Sequence, residues 1–256
     1  MTRALVAVAG ALGVLLGFSA LAPTAGSGPA ILVAAHRGGA ALWPENSLLA
    51  FRQALALGVD ALEFDLHMTA DGEVVVLHDP TLDRTSTAKG PVRALSLADL
   101  ATVRLKARDG MVTDERVSTF AQVLDLAAST SVELVPEIKI DATGQRYVGI
   151  EEKVLALLRS RGLLARATVQ AFQAETIRRL RELVPKARTM LLVTRGDLGM
   201  NHRLIDANVV SAARVAGIRL AAWTVNEEAD IRRMIDLGVD MVMSDRPDLV
   251  KRLRER

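Results

Sequence analysis

Short apolar runs alternate with helical patterns from Ile31 to the end of the chain. The runs are rich in Val, Leu and Ile, as is typical of strands that are buried on both faces. They predict strands at 31–35, 60–66, 74–77, 132–140, 168–171, 189–193, 218–223 and 241–244. Between them, apolar positions with helical spacing predict helices at 47–57, 118–128, 145–161, 174–183, 205–216, 227–237 and 247–254.

This alternation of strands and helices predicts the fold class. Strand–helix units that repeat along a chain form a parallel sheet. Eight strands favour a single closed (β/α)8 TIM barrel over an open sheet. Residues 84–115 do not fit the alternation, and we expect a long loop there with one short helix near 97–100. We see no internal repeat and predict one domain over 31–256.

The N-terminus has a different pattern. A basic residue, Arg3, precedes a continuous apolar or small-residue run over 4–22, and 23–30 is rich in Pro, Gly, Ser and Ala. This order predicts a secretory signal peptide over 1–25 and a linker over 26–30. The alternative is an uncleaved membrane anchor through residues 4–22, which is nearly long enough to span a bilayer. Both interpretations predict an exported domain, periplasmic or extracellular.

Composition narrows the function classes. The chain has 256 residues, no cysteine and a formal net charge of +2. The absence of cysteine excludes disulfides, thiolate metal sites and a cysteine nucleophile. No long Lys/Arg run and no mixture of basic and aromatic residues is present, so we predict no nucleic-acid partner.

Two carboxylates lie two residues apart inside a predicted buried strand. Because side chains alternate along a strand, Glu63 and Asp65 point to the same face, into the predicted barrel. Burying two charged carboxylates is costly unless a cation accompanies them. Glu137, on the next predicted long strand, supplies a third carboxylate, and such a set suits Mg²⁺ or Ca²⁺. The alternatives are a rim pair neutralised by Arg or Lys, and a simple ion pair between Glu137 and Lys139.

Two histidines end predicted strands at the same end of the barrel. His36 and His78 suit general acid and base catalysis at phosphorus beside a metal. Their alternative roles are metal ligation or a structural hydrogen bond. Arg37 can bind phosphate in a bidentate manner, and Lys139 can meet an anionic substrate.

Other polar and aromatic residues near the strand ends have milder interpretations. Trp223 fits either the core or the wall of a substrate pocket. We expect His67 to be a hydrogen-bonding residue at the rim and His202 to be solvated. Asn46 or Ser47 is expected to cap the first helix.

The chain resembles the glycerophosphodiester phosphodiesterase family along nearly its whole length after residue 34. The resemblance is carried by His36-Arg37-Gly38, Pro44-Glu45-Asn46-Ser47, Ala50-Phe51, Gly58-Val59-Asp60, Glu63-Phe64-Asp65, Thr69-Ala70-Asp71-Gly72, His78-Asp79, Leu82-Asp83-Arg84-Thr85, Glu137-Ile138-Lys139, Trp223-Thr224-Val225-Asn226 and Ser244-Asp245-Arg246-Pro247. The chain departs from the family pattern at Ser47, which is often Thr, at Gln170-Ala171-Phe172-Gln173, where Ser-Phe-Asp or Ser-Phe-Asn is common, and in a short connection between the sixth and seventh predicted strands.

The resemblance implies a TIM barrel that hydrolyses small-molecule glycerophosphodiesters to sn-glycerol 3-phosphate and an alcohol, with Ca²⁺ or Mg²⁺. It implies that His36 and His78 are the acid/base pair and that Glu63, Asp65 and Glu137 are the metal ligands. It also implies that Arg37 and Lys139 contact the phosphate and that Trp223 is an aromatic residue lining the pocket. Two alternatives stay open: phospholipase D-type cleavage of lysophospholipids or sphingomyelin, and a barrel that binds a phosphorylated ligand without turnover.

Overall fold

The computed structural model describes residues 31–192 and 200–255. The predicted signal peptide or anchor and its linker lie outside these residues. The strands are β1 (Leu32–Ala35), β2 (Ala61–Met68), β3 (Val74–Val76), β4 (Arg104–Lys106), β5 (Val112–Arg116), β6 (Ser118–Thr119), β7 (Glu133–Ile138), β8 (Thr168–Ala171), β9 (Arg188–Leu191), β10 (Met200–Asn201), β11 (Ala221–Trp223) and β12 (Met241–Ser244).

Eight of these strands form the parallel sheet of a TIM-barrel-like fold. Their order is β10-β11-β12-β1-β2-β7-β8-β9, and every pairing along it is parallel. Neighbours in the sheet are mostly neighbours in the chain, but β12, the last strand, pairs with β1, the first. The sheet therefore turns back on itself, which is how a (β/α)8 fold brings the carboxyl ends of its strands to one face.

The predicted strand at 74–77 is wrongly placed in the barrel. β3 pairs antiparallel with β2 and also with β6, so it forms a hairpin beside the barrel. The eighth strand of the parallel sheet is instead β10, which lies where the sequence pattern predicts no strand. β10 has only two residues, and a strand that short has no visible period. The end of the predicted strand at 189–193 lies outside the described residues.

The helices follow the predicted pattern: those at 174–183 and 247–254 have the predicted bounds, and the other five are shorter than predicted. They are α1 (Leu48–Leu57), α2 (Leu97–Leu100), α3 (Phe120–Ala128), α4 (Ile150–Ser160), α5 (Ala174–Leu183), α6 (Ala207–Val215), α7 (Glu228–Leu237) and α8 (Pro247–Arg254). Ser47 caps α1 by accepting a hydrogen bond from the amide of Ala50. Gly58 ends α1 and Gly238 ends α7, both in the left-handed region that favours glycine. Among the helices in the described ranges, none is both long enough and apolar enough to cross a membrane.

The long connection between β2 and α3 builds a small unit with its own core. It contains β3, α2 and the antiparallel pair β4–β5. Its buried apolar residues are Val75, Leu77, Leu82, Val92, Leu100, Val103, Leu105 and Val117. This core fixes the unit, including the β4–β5 hairpin, beside the carboxyl ends of the barrel strands.

Candidate active site

Strand β2 places two carboxylates in the barrel because its other face is anchored in the core. Phe64, between them, packs edge-on against Phe51 of α1, with 5.6 Å between ring centroids, and at a tilt against Phe120 of α3, with 5.8 Å between ring centroids. Since side chains alternate along the strand, Glu63 and Asp65 point the opposite way. The predicted shared face of these two residues is confirmed.

The third carboxylate lies beside the first two through strand register. Asp65 pairs with Glu137 of β7, and Glu137 pairs with Gln170 of β8. Glu63, Asp65 and Glu137 are all buried, and each offers an oxygen within 4.8 Å of the others. The amide of Gln170 donates a hydrogen bond to Glu63 Oε1 at 2.9 Å.

The electrostatics of this cluster favour a cation. Burial raises the pKa of Glu63 and Glu137, and the charge on Asp65 raises both further. Burial acts in the same direction on Asp65, but Lys139, His78 and Arg37 outweigh it and lower its pKa. The result is an acidic centre in which burial and the charge on Asp65 disfavour the ionised forms of Glu63 and Glu137.

A divalent cation fits these residues by a separate criterion. Gln170 Oε1 is buried and has no hydrogen-bond partner among the described residues, and the buried Asp65 Oδ1 has an ion-pair contact with Lys139 Nζ at 3.4 Å but no hydrogen bond. A buried oxygen without a partner is costly, and a hard cation satisfies such oxygens. The predicted carboxylate ligands therefore form a suitable metal site, and Gln170 is a further oxygen at its edge that the sequence interpretation missed.

His36 lies at the end of β1 and is oriented by Asp245, which follows β12. Its Nδ1 lies 2.6 Å from Asp245 Oδ1, and Asn226 donates to the other oxygen of Asp245 at 2.7 Å. The carboxylate accepts from Nδ1, so Nε2 faces the acidic centre, 4.0 Å from Glu63 Oε2. Burial disfavours the charged form of His36, but Glu63 and Asp245 outweigh it and raise the pKa of His36.

The turn after β1 brings backbone groups to the acidic centre. Arg37 and Asn46 both have positive φ, at 51° and 58°, which is rare for residues with side chains and is common at functional sites. The amide of Arg37 donates to Glu63 Oε2 at 2.9 Å, and the side-chain amide of Asn46 donates to Asp65 Oδ2 at 2.9 Å. The two residues are also joined, because Asn46 N donates to Arg37 O. Asn46 therefore contacts a predicted metal ligand, while Ser47 takes the helix cap.

His78 follows β3 and is oriented by its neighbour. Its Nδ1 lies 2.7 Å from Asp79 Oδ1, so Nδ1–H donates, and Nε2 makes no hydrogen bond within the described part of the chain. Arg84 binds both oxygens of Asp79, at 2.7 and 3.0 Å, and both oxygens of Glu45, each at 2.8 Å. Burial lowers the pKa of His78, and the charge on Asp65 only partly opposes it. The pKa values of the two candidate histidines thus shift in opposite directions.

His67 holds the backbone beside His78 instead of lying at the rim. It is fully buried, its Nε2 lies 3.1 Å from His78 O, and its Nδ1 lies 2.9 Å from the hydroxyl of Tyr147. A carbonyl only accepts, so Nε2 carries the proton and Nδ1 accepts from Tyr147. The predicted hydrogen-bonding role of His67 is confirmed, but its expected position at the rim is wrong.

Cationic and aromatic side chains complete the cavity above the carboxylates. Lys139 Nζ lies 2.7 Å from Glu137 Oε1 and 3.4 Å from Asp65 Oδ1, so the ion pair offered as an alternative exists within the acidic cluster. Arg37 forms ion pairs with Glu45 at 3.2 Å and with Asp65 at 3.6 Å.

Two aromatic side chains form part of the cavity wall. Trp223 packs edge-on against Phe172 with 5.7 Å between ring centroids, and both line a cavity of about 100 Å³ with His36, His78 and Lys139. Trp223 also packs on the inner core of the barrel.

The structure brings all eight predicted site residues together at one end of the barrel. It also places several residues there that the sequence analysis did not predict as site residues. These are Glu45, Asn46, Asp79, Arg84, Gln170, Phe172 and Asp245. Asp245 directly follows a predicted strand end, and that position was the available signal. His202 is not solvated as expected: it is 7% exposed, and Arg233 donates to its carbonyl at 2.8 Å.

The fold and site together define a class: a TIM-barrel-like enzyme with an acidic, metal-suited centre and two carboxylate-oriented histidines. Residues 36–249 match the glycerophosphoryl diester phosphodiesterase family. The chain therefore belongs to this family and is a phosphodiesterase.

Individual relatives are similar in sequence to this chain over most of their own length. A glycerophosphodiester phosphodiesterase of Caldanaerobacter subterraneus subsp. tengcongensis is 30% identical over 85% of this chain and 95% of its own. One from Bacillus subtilis is 29% identical over 88% of this chain and 87% of its own.

Solved structures agree on the fold. A glycerophosphodiester phosphodiesterase of Agrobacterium tumefaciens superposes with a TM-score of 0.73 at 25% identity, over 86% of this chain and 99% of its own. A phosphodiesterase of Oleispira antarctica, solved with the product sn-glycerol-3-phosphate, superposes with a TM-score of 0.76 at 23% identity, over 89% of this chain and 98% of its own.

Proposed function

We propose that this enzyme hydrolyses glycerophosphodiesters to sn-glycerol 3-phosphate and an alcohol with a divalent cation, Ca²⁺ or Mg²⁺. The observation that carries the proposal is the cluster of Glu63, Asp65 and Glu137 next to His36 and His78. The names of the relatives in C. subterraneus and B. subtilis support the substrate class.

In this proposal the two histidines move the protons. One removes a proton from the nucleophile and the other donates a proton to the oxygen of the leaving alcohol. Asp245 and Asp79 fix each imidazole so that Nε2 is the reactive nitrogen. The nucleophile is either water or a hydroxyl of the substrate's own glycerol, and the second route passes through a cyclic phosphate.

The remaining residues bind and orient the phosphodiester. Arg37 and Lys139 provide positive charge at the cavity, and Trp223 and Phe172 provide an apolar wall. Glu63, Asp65 and Glu137 would hold the cation. When bound, that cation neutralises charge on phosphoryl oxygens and lowers the pKa of coordinated water.

The direct test is release of sn-glycerol 3-phosphate from glycerophosphocholine and glycerophosphoglycerol by the full chain. Parallel reactions contain EDTA, Mg²⁺ or Ca²⁺. We expect no release with EDTA and restored release with one of the two metals. Equal release with and without EDTA would contradict the metal site, and no release under any condition would contradict the substrate class.

A variant tests the histidine assignment. We expect His78→Ala to lower kcat by about 10² to 10⁴, the range for loss of a general acid or base, with an unchanged circular dichroism spectrum. The matched control is His202→Gln, at a residue in the short 3₁₀ turn before α6, and this variant should retain turnover. Turnover of His78→Ala close to that of the wild type would remove His78 from the mechanism.

One observation favours phospholipase D-type cleavage as a second candidate function. Leu42, Met111 and Val112 are 37%, 68% and 50% exposed, and the last two belong to or adjoin the β4–β5 hairpin at the mouth. Exposed apolar side chains around a mouth suit contact with lipid. Faster turnover of lysophosphatidylcholine than of glycerophosphocholine would favour this candidate.

We also propose that residues 1–25 direct export, either as a cleaved signal peptide or as an anchor through 4–22. The support is the order of a basic residue, an apolar run and a small-residue stretch in the sequence. Fractionation of the producing cells and the mass of the mature N-terminus test it. A cytoplasmic protein with an intact Met1 would contradict export.

A further inference from the structure

Two cavities meet at the site and share His36, Arg37 and Thr224. The smaller one, about 100 Å³, contains the acidic centre and an apolar wall. The larger one, about 500 Å³, opens on the other side of His36 and Arg37, towards the β4–β5 hairpin. A phosphodiester has two alcohol portions, so a phosphate placed at the shared residues sends one portion into each cavity.

The volumes of the two cavities indicate which alcohol portion each one can hold. A cavity of about 100 Å³ suits a three-carbon glycerol, and its apolar wall contains Leu192, Phe172, Trp223 and Met243. The cavity of about 500 Å³ lies within the range of about 300–1,000 Å³ that is common for small-molecule sites. This inference rests on the proposed function: the glycerol portion fits the smaller cavity, and the variable headgroup fits the larger one.

The larger cavity carries uncompensated positive charge. Its two carboxylates are engaged, Glu45 by Arg84 and Arg37, and Asp245 by His36 and Asn226. Lys106 and Arg108 line the same cavity, and within 31–192 and 200–255 neither has a carboxylate oxygen within ion-pair distance. These two cations are therefore available to an anion in the cavity.

A second, independent observation marks the same wall as a binding surface. Thr85 lines the cavity and is 6% exposed, and its hydroxyl has no hydrogen-bond partner in the described part of the chain. Lys106 N donates to Thr85 O at 2.8 Å, so backbone contact fixes Lys106 beside this hydroxyl. A buried hydroxyl without a partner costs free energy unless a ligand supplies one.

The residues lining the larger cavity also argue against a choline headgroup. None of the described residues that line it is Phe, Tyr or Trp. Quaternary ammonium groups are recognised by aromatic faces, and nearby Lys and Arg repel them.

We propose that the larger cavity is a headgroup site for an anionic leaving group, bound by Lys106, Arg108 and the hydroxyl of Thr85. The preferred substrates are glycerophosphodiesters whose alcohol carries its own phosphate monoester or carboxylate. In the reaction the nucleophile's oxygen bonds to phosphorus and the phosphorus–oxygen bond to the headgroup breaks. The headgroup leaves as a neutral hydroxyl after receiving one proton and keeps its own anion.

The test compares glycerophosphoinositol 4-phosphate with glycerophosphoinositol, which differ by one phosphate monoester. We expect the wild type to prefer the phosphorylated substrate by about tenfold in kcat/KM, and the preference to fall at higher salt, since salt screens partly exposed charges. In the double variant Lys106→Ala/Arg108→Ala the ratio of the two kcat/KM values should approach one. Arg104→Ala, on the same hairpin but outside the cavity lining, is the matched control and should keep the wild-type ratio.

The outcomes separate this proposal from the proposed function. A wild-type ratio at or below one, or a double variant with the wild-type ratio, would overturn the anionic headgroup site while leaving the hydrolysis intact. If neither substrate is hydrolysed with any metal, the proposed function fails. The headgroup site is then decided by calorimetric binding of the same two compounds to the wild type and the double variant, where the phosphorylated compound must bind more tightly to the wild type only.

Discussion

At the scale of single residues, the orientation of His78 depends on Arg84, which lies outside the barrel strands. Asp79 accepts from His78, and Arg84 binds both oxygens of Asp79 while also binding Glu45. Arg84 is therefore a positioning residue: it holds the carboxylate of Asp79, and Asp79 in turn orients the imidazole of His78. The hydrogen bonds of Asp79, chiefly with Arg84, outweigh burial and lower the pKa of Asp79 to about 2, so the carboxylate is charged at neutral pH.

Replacing Arg84 with alanine should lower kcat more than it changes KM. We expect a loss of about 10- to 100-fold in kcat, as for other partners that orient catalytic groups. Without Arg84, the charge on Asp79 acts on His78 alone, so the limb of the pH–rate profile that His78 governs should move to higher pH. Arg84→Lys should restore part of the rate, and Arg104→Ala, on β4, is the control. An unchanged pH profile in Arg84→Ala would leave Arg84 with a structural role only.

Replacing Glu137 with glutamine should weaken metal binding. The change removes one of the three carboxyl groups that can ligate the metal, so we expect at least a tenfold loss of affinity for Mg²⁺ or Ca²⁺ by calorimetry. The matched control is Glu133→Gln at the opposite end of β7, where Glu133 pairs with Arg188 at 2.7 Å. Equal metal affinity in the wild type and Glu137→Gln would exclude Glu137 from the site.

At the scale of elements, the turn between β1 and α1 is fixed by backbone conformation. Gly38 has φ of +78°, and a Cβ there would lie 2.8 Å from the Cβ of Ala50 in α1. The turn carries His36 and Arg37, so the close packing of Gly38 on α1 sets where those side chains begin.

Gly38→Ala should therefore destabilise the protein and displace the turn. We expect a loss of about 2–3 kcal/mol, since both the left-handed conformation and the overlap contribute. Gly110→Ala is the control: φ is +88° but nothing lies within 4 Å, so only the conformational cost of about 1 kcal/mol remains. The measurement is urea unfolding. Equal losses in the two variants would mean that Ala50 moves aside freely.

At the scale of the whole molecule, His67 joins three parts of the fold. It lies on β2, binds the backbone of His78 in the inserted unit, and accepts from Tyr147, which precedes α4. Burial lowers the pKa of His67 to about 4, and the hydrogen bond to His78 only partly opposes this. The folded protein thus keeps this imidazole neutral over the whole neutral pH range.

The low pKa of His67 predicts that the protein loses stability on mild acidification. The folded pKa lies below the unfolded value of about 6.5, so the unfolded chain gains the proton first as the pH falls. The stabilisation is complete above about pH 6.5 and is lost between there and about pH 4, with about 2 kcal/mol gone at pH 5. Urea unfolding with EDTA at pH 7.5 and 5 measures it, and His67→Gln should lose this part of the pH dependence. An equal dependence in both proteins would refute the assignment.

The sequence by itself determined those features of this protein that depend on the local spacing of apolar and polar residues. The strands at 31–35, 168–171 and 241–244 were placed within one residue of their observed bounds. Alternation along β2 fixed the shared face of Glu63 and Asp65, because a strand period of two depends only on adjacent residues. The parallel sheet followed from the order of the elements.

The tertiary structure alone decided what depends on contacts between distant segments. It made 74–77 a hairpin strand, since the direction of pairing is set by which strand lies alongside. It also made β10 a barrel strand despite its two residues. It brought Asp245 to His36 across 209 positions and Tyr147 to His67 across 80. Hydrogen bonds between segments this far apart leave no periodic signal in either segment, so only the folded chain determines them.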